Sequence, residues 1–121
     1  MKKTRSGIRC RQGDLVLLPF PFTDLSAIKR RPALIISPDR LHQDSDDVIL
    51  AAITSQVPPT LSQFEMPLRS RDMAVGRLPK PSVVRLAKIF TAHRGIIVKR
   101  VGRLQQESLA RILARLRSLF T

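Results

Sequence analysis

The chain has 121 residues, 43% of them hydrophobic, with 22 Lys and Arg against 9 Asp and Glu and a formal net charge of +13. The apolar content excludes a disordered chain, and the length fits one domain with a single modest core. The charge points to a polyanionic partner, nucleic acid first.

Sixteen of the cations are Arg, whose planar fork suits phosphate better than a lysine point charge does. Cys10 is the one cysteine, so no internal disulfide is possible and a reducing cytoplasm fits. No run is long enough to span a bilayer, and no apolar stretch follows the charged start as in a secretory signal. A soluble intracellular protein without a membrane partner is expected.

In chain order, residues 1–10 form a basic tail that should lie loosely on the surface, and 11–121 form one domain. Leu15 to Phe20 is a continuous apolar run that fits a buried strand. Pro19 and Pro21 push the chain into a loop. Lys29, Arg30 and Arg31 crowd the point where a second strand, Ala33 to Ser37, begins. Three adjacent cations there serve stability poorly, and at a cleft they make a site for an anion.

Ser37-Pro38-Asp39 ends that strand, and Leu41 to Asp47 reads as a polar loop. Val48 to Thr54 is the third strand, followed by Ser55 and Gln56, and Pro58-Pro59 opens another loop. Phe64 to Leu68 is a weaker strand. Arg71 to Pro81, with Gly76 and two prolines, reads as turn and loop. Val83 to Thr91 and Ile96 to Leu104 are further strands. Short strands at this spacing predict a small barrel or sandwich, a mainly β fold. Leu109, Ile112, Leu113, Leu116, Leu119 and Phe120 then fall at helical spacing, predicting an amphipathic helix on the sheet.

The residues offer few routes to chemistry. His42 and His93 lack paired spacing and one cysteine cannot build a zinc site, so neither metal nor cofactor is expected. Asp44, Asp46 and Asp47 read as a solvated turn. No Gly-rich phosphate loop is present. RNA, however, carries its own nucleophile in the 2′-OH. Positioned cations and hydrogen-bond donors can hold that oxygen in line and stabilise the phosphorane.

Arg31, braced by Pro32, is the best clamp. Thr54 is placed to hold a phosphate oxygen or the 2′-OH. Lys29, Arg30, Ser55, Gln56, Lys80, Arg85 and Lys88 are the expected RNA-binding set. An arginine is a poor base at neutral pH, which leaves Asp24, His42, Glu65 or a phosphate-bound water for that role. With no Trp or Tyr, stacking falls to Phe or Arg; Phe20 and Phe22 flank the first loop.

Gly13-Asp14-Leu15-Val16, Arg31-Pro32-Ala33-Leu34-Ile35-Ile36 and Ala51-Ala52-Ile53-Thr54-Ser55, in that order, resemble the MazF/PemK family of toxin endoribonucleases. The resemblance runs from about Arg11 to the C-terminal helix. It implies an SH3-like small barrel of the CcdB/MazF/PemK type with a C-terminal helix, and a homodimer. The family's catalytic Arg falls on Arg31 and its catalytic Thr on Thr54. The implied activity is that of a type II toxin: metal-independent, sequence-selective cleavage of single-stranded RNA, leaving a 2′,3′-cyclic phosphate and a 5′-hydroxyl. An antitoxin with an extended acidic tail is the implied partner, and any DNA contact would run through it.

Two positions depart from the family pattern. The loop Pro21 to Ile28 has no Glu, and the strand that commonly reads Asp-Gln-Ile-basic-Thr is Ala87-Lys88-Ile89-Phe90-Thr91. Two other readings stand beside the nuclease: a gyrase-poisoning toxin like the related CcdB proteins, and a non-catalytic nucleic-acid-binding barrel.

Overall fold

Seven strands and two helices account for most of the chain in the computed structural model, which describes residues 8–20 and 29–121. The strands are β1 (Asp14–Phe20), β2 (Lys29–Ile35), β3 (Asp47–Thr54), β4 (Glu65–Leu68), β5 (Met73–Gly76), β6 (Ser82–His93) and β7 (Lys99–Leu104); the helices are α1 (Asp39–Asp44) and α2 (Gln106–Ser118). The strands form one antiparallel sheet in the order β4-β6-β3-β2-β1-β7-β5. This is the expected mainly β fold with a C-terminal helix.

Successive side chains of a strand take opposite faces, and both faces of this sheet are covered. On one, Leu15, Leu34, Ala51, Ile53, Val84 and Leu86 pack with Ile112, Leu109 and Leu116 of α2. On the other, Val16, Leu18, Ala33, Ile35, Val48 and Leu50 pack with Cys10 and Ile97. Strands buried on both sides need near-continuous apolar sequence, which explains runs such as Leu15-Val16-Leu17-Leu18.

Cys10 is therefore a core residue, not part of a loose tail. Burial pushes its thiol pKa up, the Arg94 charge draws it back only in part, and Asp14 adds to the rise. The thiol stays protonated and donates to the Ile8 carbonyl at 3.3 Å.

Asp14 has no exposed surface. Its carboxylate accepts the Arg11 N–H at 3.0 Å and the Arg103 Nε–H at 2.9 Å. Gly13, just before it, has φ +93°, a backbone region that glycine alone enters without strain. Its N–H and C=O bond the Ile35 carbonyl and the Leu104 N–H. The Gly-Asp pair thus fastens the start of β1 to β2 and β7.

Three segments differ from the sequence reading. β2 begins at Lys29, so Arg31 lies inside the strand, opposite Leu18. The polar stretch after Ser37 contains α1: the Leu41 N–H bonds the Pro38 carbonyl, the Ser45 N–H bonds the Leu41 carbonyl, and His42 points into the protein. Arg71 to Pro81 contains the short edge strand β5, with Gly76 at φ +81°. A Cβ on Gly76 would collide with the Val101 carbonyl oxygen.

Candidate functional site

The site begins where β2 and β3 part. Their ladder ends at Ala33–Ala52, and the register extended by two residues sets Arg31 opposite Thr54 on the same face. Pro32 has no N–H to give the ladder, so pairing stops and a cleft of about 500 Å³ opens. Arg31, Thr54, Gln56, Arg85 and Lys88 line it with Phe20, Ala52, Ile89 and Phe90.

Each cleft side chain is set by its strand. The Thr54 Oγ1 accepts the Gln56 N–H at 3.1 Å, which fixes the hydroxyl and leaves its proton for a ligand oxygen. Arg85 lies across from Ala52 and from Glu65 on the edge strand β4. Between Ile89, opposite Ala51, and Arg85, opposite Ala52, three residues of β6 have no partner on β3. Such a bulge re-aims side chains: Leu86 goes into the core and Lys88 to the cleft. Phe20 and Phe90 meet edge to face, ring centroids 5.1 Å apart, and form an apolar wall. Three cations thus face an apolar wall, and among the described lining residues there is no carboxylate.

The other named residues are distributed as follows. Lys29 opposite Phe20 shares the face of Arg31, whereas Arg30 opposite Pro19 takes the other. Ser55 follows Thr54 and is exposed but does not line the cleft. Lys80 lines a separate recess. Glu65 sits behind Arg85, its Oε2 3.8 Å from Arg85 Nε and its Oε1 accepting the Ser62 N–H at 3.0 Å. Asp24 and Phe22 lie outside the described residues.

His42 lies at the opposite end of the strands. Its Nδ1 donates to the Cys10 carbonyl at 3.0 Å and its Nε2 accepts from Ser37 Oγ at 2.6 Å. Ser37 in turn accepts the Ile49 N–H at 3.0 Å. Ile49 and Thr54 are five residues apart on β3, roughly 16 Å at strand rise, so His42 cannot reach a ligand at Thr54. The Ser–His pair resembles a hydrolytic dyad, but both members are buried and hold the N-terminal segment, α1 and β3 together.

Phe90, Ile89 and Ala52 stand in segments that the sequence marks, Ala51 to Ser55 and Ala87 to Thr91, but the sequence alone gives them no role at a site. Alternation does couple Phe90 with Lys88, but relating either to Thr54 needs the bulge, which no residue pattern announces. Among the described residues, no group of three His, Cys, Asp or Glu side chains converges to hold a metal ion.

A family model described as PemK-like, MazF-like toxin of type II toxin-antitoxin system matches residues 11–120. The chain belongs to this family. MazF from Deinococcus radiodurans, solved with MazE, shares the fold at TM-score 0.73 and 23% identity, over 93% of this chain and 97% of that one. Mycobacterium tuberculosis toxin MazF-mt6 matches at 0.69 and 20%, over 88% and 95%. An endoribonuclease from a mycobacterial species, in complex with its cognate antitoxin, matches at 0.73 and 14%, over 92% and 94%. No curated protein matches the sequence. As a MazF/PemK toxin, the chain has no described helix long and apolar enough to cross a membrane.

Away from the cleft, Asp72 ties the turn Ser70–Asp72 to α2. It accepts the Arg69 N–H at 2.8 Å, the Ser108 hydroxyl at 2.8 Å and Arg111 at 3.1 Å. Burial alone would raise its pKa, but these donors and the Arg111 charge outweigh it and the net shift is downward. A carboxyl depressed on folding stabilises the protein above its unfolded value, near 4, and loses that contribution as pH falls through the folded value. Unfolding midpoints of the parent should therefore fall more steeply below about pH 4 than those of Asp72→Asn, with the two curves converging in acid.

Proposed function

We propose that this toxin is a metal-independent endoribonuclease that cuts single-stranded RNA in a sequence-selective way. The observation that carries the reading is that Arg31 and Thr54, from separate strands, line one cationic cleft. The endoribonuclease of mycobacterial origin that shares the fold supports it.

In this reaction the 2′-oxygen attacks the adjacent phosphorus, the bond to the 5′-oxygen breaks, and the departing oxygen takes up a proton. The products are a 2′,3′-cyclic phosphate and a 5′-hydroxyl. Arg31, with its fixed charge and fork of donors, stabilises the phosphorane oxygens. The Thr54 hydroxyl donates to a phosphate oxygen and holds the reacting unit in line. Arg85 and Lys88 bind flanking phosphates, with Glu65 holding Arg85 in place. The 2′-proton passes to a phosphate oxygen or its bound water, or to Asp24, whose replacement tests that route. Phe20 and Phe90 offer the apolar surface on which a base can rest.

The reading extends to an acidic antitoxin segment lying in the same cationic cleft, to a homodimer, and to a cytoplasmic site of action. The Deinococcus complex of MazE with MazF supports the antitoxin.

Incubation of the purified chain with a long single-stranded RNA in excess EDTA tests the reaction. Discrete fragments with 5′-hydroxyl ends are expected, and Thr54→Val should slow their formation about 10- to 100-fold while Thr54→Ser stays near the parent. Cleavage that needs added divalent metal would contradict the proposal.

A further inference from the structure

Beyond the cleft, four cations surround a second concavity. Arg69, Arg71 and Lys80 line a recess of about 460 Å³ between the turn Ser70–Asp72 and the loop before β6. Arg77 lines an adjoining one that shares Leu78 and Pro79. None of the four forms an ion pair with a described residue. The one carboxylate in this stretch, Asp72, is turned inward onto Ser108 and Arg111.

The rim is also built, not loose. Pro79 and Pro81 fix φ on both sides of Lys80, and the Lys80 carbonyl accepts the Ser82 hydroxyl at 3.0 Å. Gly76 lies tight against β7 where the loop begins. The backbone at Gly76 and Lys80 is thus set before a ligand arrives.

The position of the recess relates it to the cleft. Val83 pairs with Thr54 on β3 and with Pro67 on β4. Lys80 is three residues upstream of Val83, roughly 10 Å at strand rise. A strand of RNA leaving Thr54 along the start of β6 meets the recess within a few nucleotides.

We propose that this recess is a second subsite of the toxin, holding backbone phosphates of the RNA that flanks the cleaved bond. The assignment rests on the RNA reading above and adds Arg69, Arg71 and Arg77 to the substrate track. A ligand held through phosphates gives affinity without sequence preference. The recess therefore favours long RNAs over short ones, and the cleft sets where they are cut.

The test compares the parent with R69Q/R71Q/R77Q. Binding of 2′-O-methyl RNAs, which cannot be cut, is followed by fluorescence anisotropy across a salt series. One probe has about 20 nucleotides and the other about 2, short enough to occupy the cleft without reaching the recess. For the long probe, the variant should bind about 10- to 100-fold more weakly near 0.1 M salt. Its log–log salt slope should be smaller by about 2, for three lost phosphate contacts at about 0.7 each.

Affinity for the short probe should stay within about twofold, since that probe misses these contacts. An unchanged long-probe affinity, or an equal loss for both probes, overturns the subsite and leaves the cleft reading standing. Loss of an Asp/Glu-rich peptide with RNA binding kept overturns it in favour of a protein-docking role. A parent that binds neither probe sinks the RNA reading and the subsite together. Should the triple variant not fold, R71Q/R77Q carries the same test with a slope change of about 1.4.

Discussion

Arg31→Ala is expected to lower kcat for RNA cleavage by about 10²- to 10³-fold while the free energy of unfolding stays within about 0.5 kcal/mol of the parent. The Arg31 side chain is exposed at the cleft and makes no ion pair with any described residue. Its guanidinium therefore does little for folding. In the proposed reaction its charge acts where negative charge grows on the phosphorane, beside the apolar wall of Phe20 and Phe90. Arg31→Lys should recover only part of the loss, because an ammonium keeps the charge but not the planar fork. Single-turnover cleavage and urea unfolding of the same preparations check both halves. A variant that unfolds, or one that cuts RNA at the parental rate, contradicts the role given to Arg31.

Asp14→Ala is the second large effect, and it falls on stability. The carboxylate is fully buried, with the Arg11 N–H and the Arg103 guanidinium directly bonded and Arg100 at 3.9 Å. Removing one partner of a buried pair typically costs about 3–5 kcal/mol, chiefly for the group left behind. Arg103 is 28% exposed and can turn partly to water, so the lower end of that range is expected. Arg100 is more exposed and farther away, and Arg100→Ala should cost under about 1 kcal/mol. Urea midpoints report both, with the slope unchanged if the native and denatured states keep their compactness. RNA cleavage by folded Asp14→Ala should be unaffected, since β1 presents this residue at the end remote from the cleft.

Asp14 shows how much could be read beforehand. The Gly-Asp pair was recognisable as a motif, but its work in closing β1 onto β7 depends on Arg103, 89 residues away in sequence. Strands buried on both faces were plain from unbroken apolar runs, and α2 from its helical period. β5 escapes a sequence reading because four residues of an edge strand, three of them exposed and the last a glycine, leave no alternation to see. α1 escapes it too, because its signal is one proline and a single buried side chain, His42, inside a polar stretch.

The cleft was legible in part. Arg31 and Thr54 were marked by residue type and position, and the β2–β3 register brings them face to face. His42 was a reasonable candidate by chemistry alone, but its partners are Ser37 and the Cys10 carbonyl, about five strand residues from Thr54. Phe90 was overlooked because the β6 bulge resets the alternation that would have linked it to the site. Lys80 belongs by charge with the expected RNA-binding set, yet it lines a different recess with Arg69 and with Arg71, which opens a stretch that reads only as turn and loop.

The central claim is that the substrate attacks itself while Arg31 and Thr54 hold and neutralise the phosphate. The most direct measurement uses an RNA cut at one mapped position, remade with a single 2′-deoxyribose on the 5′ side of that bond and assayed in EDTA. The account predicts that cleavage at that bond disappears while binding stays within about twofold, since one hydroxyl is lost and every phosphate contact is kept. Cleavage of the deoxy-substituted bond at the parental rate would mean that the nucleophile comes from elsewhere, and would contradict the account.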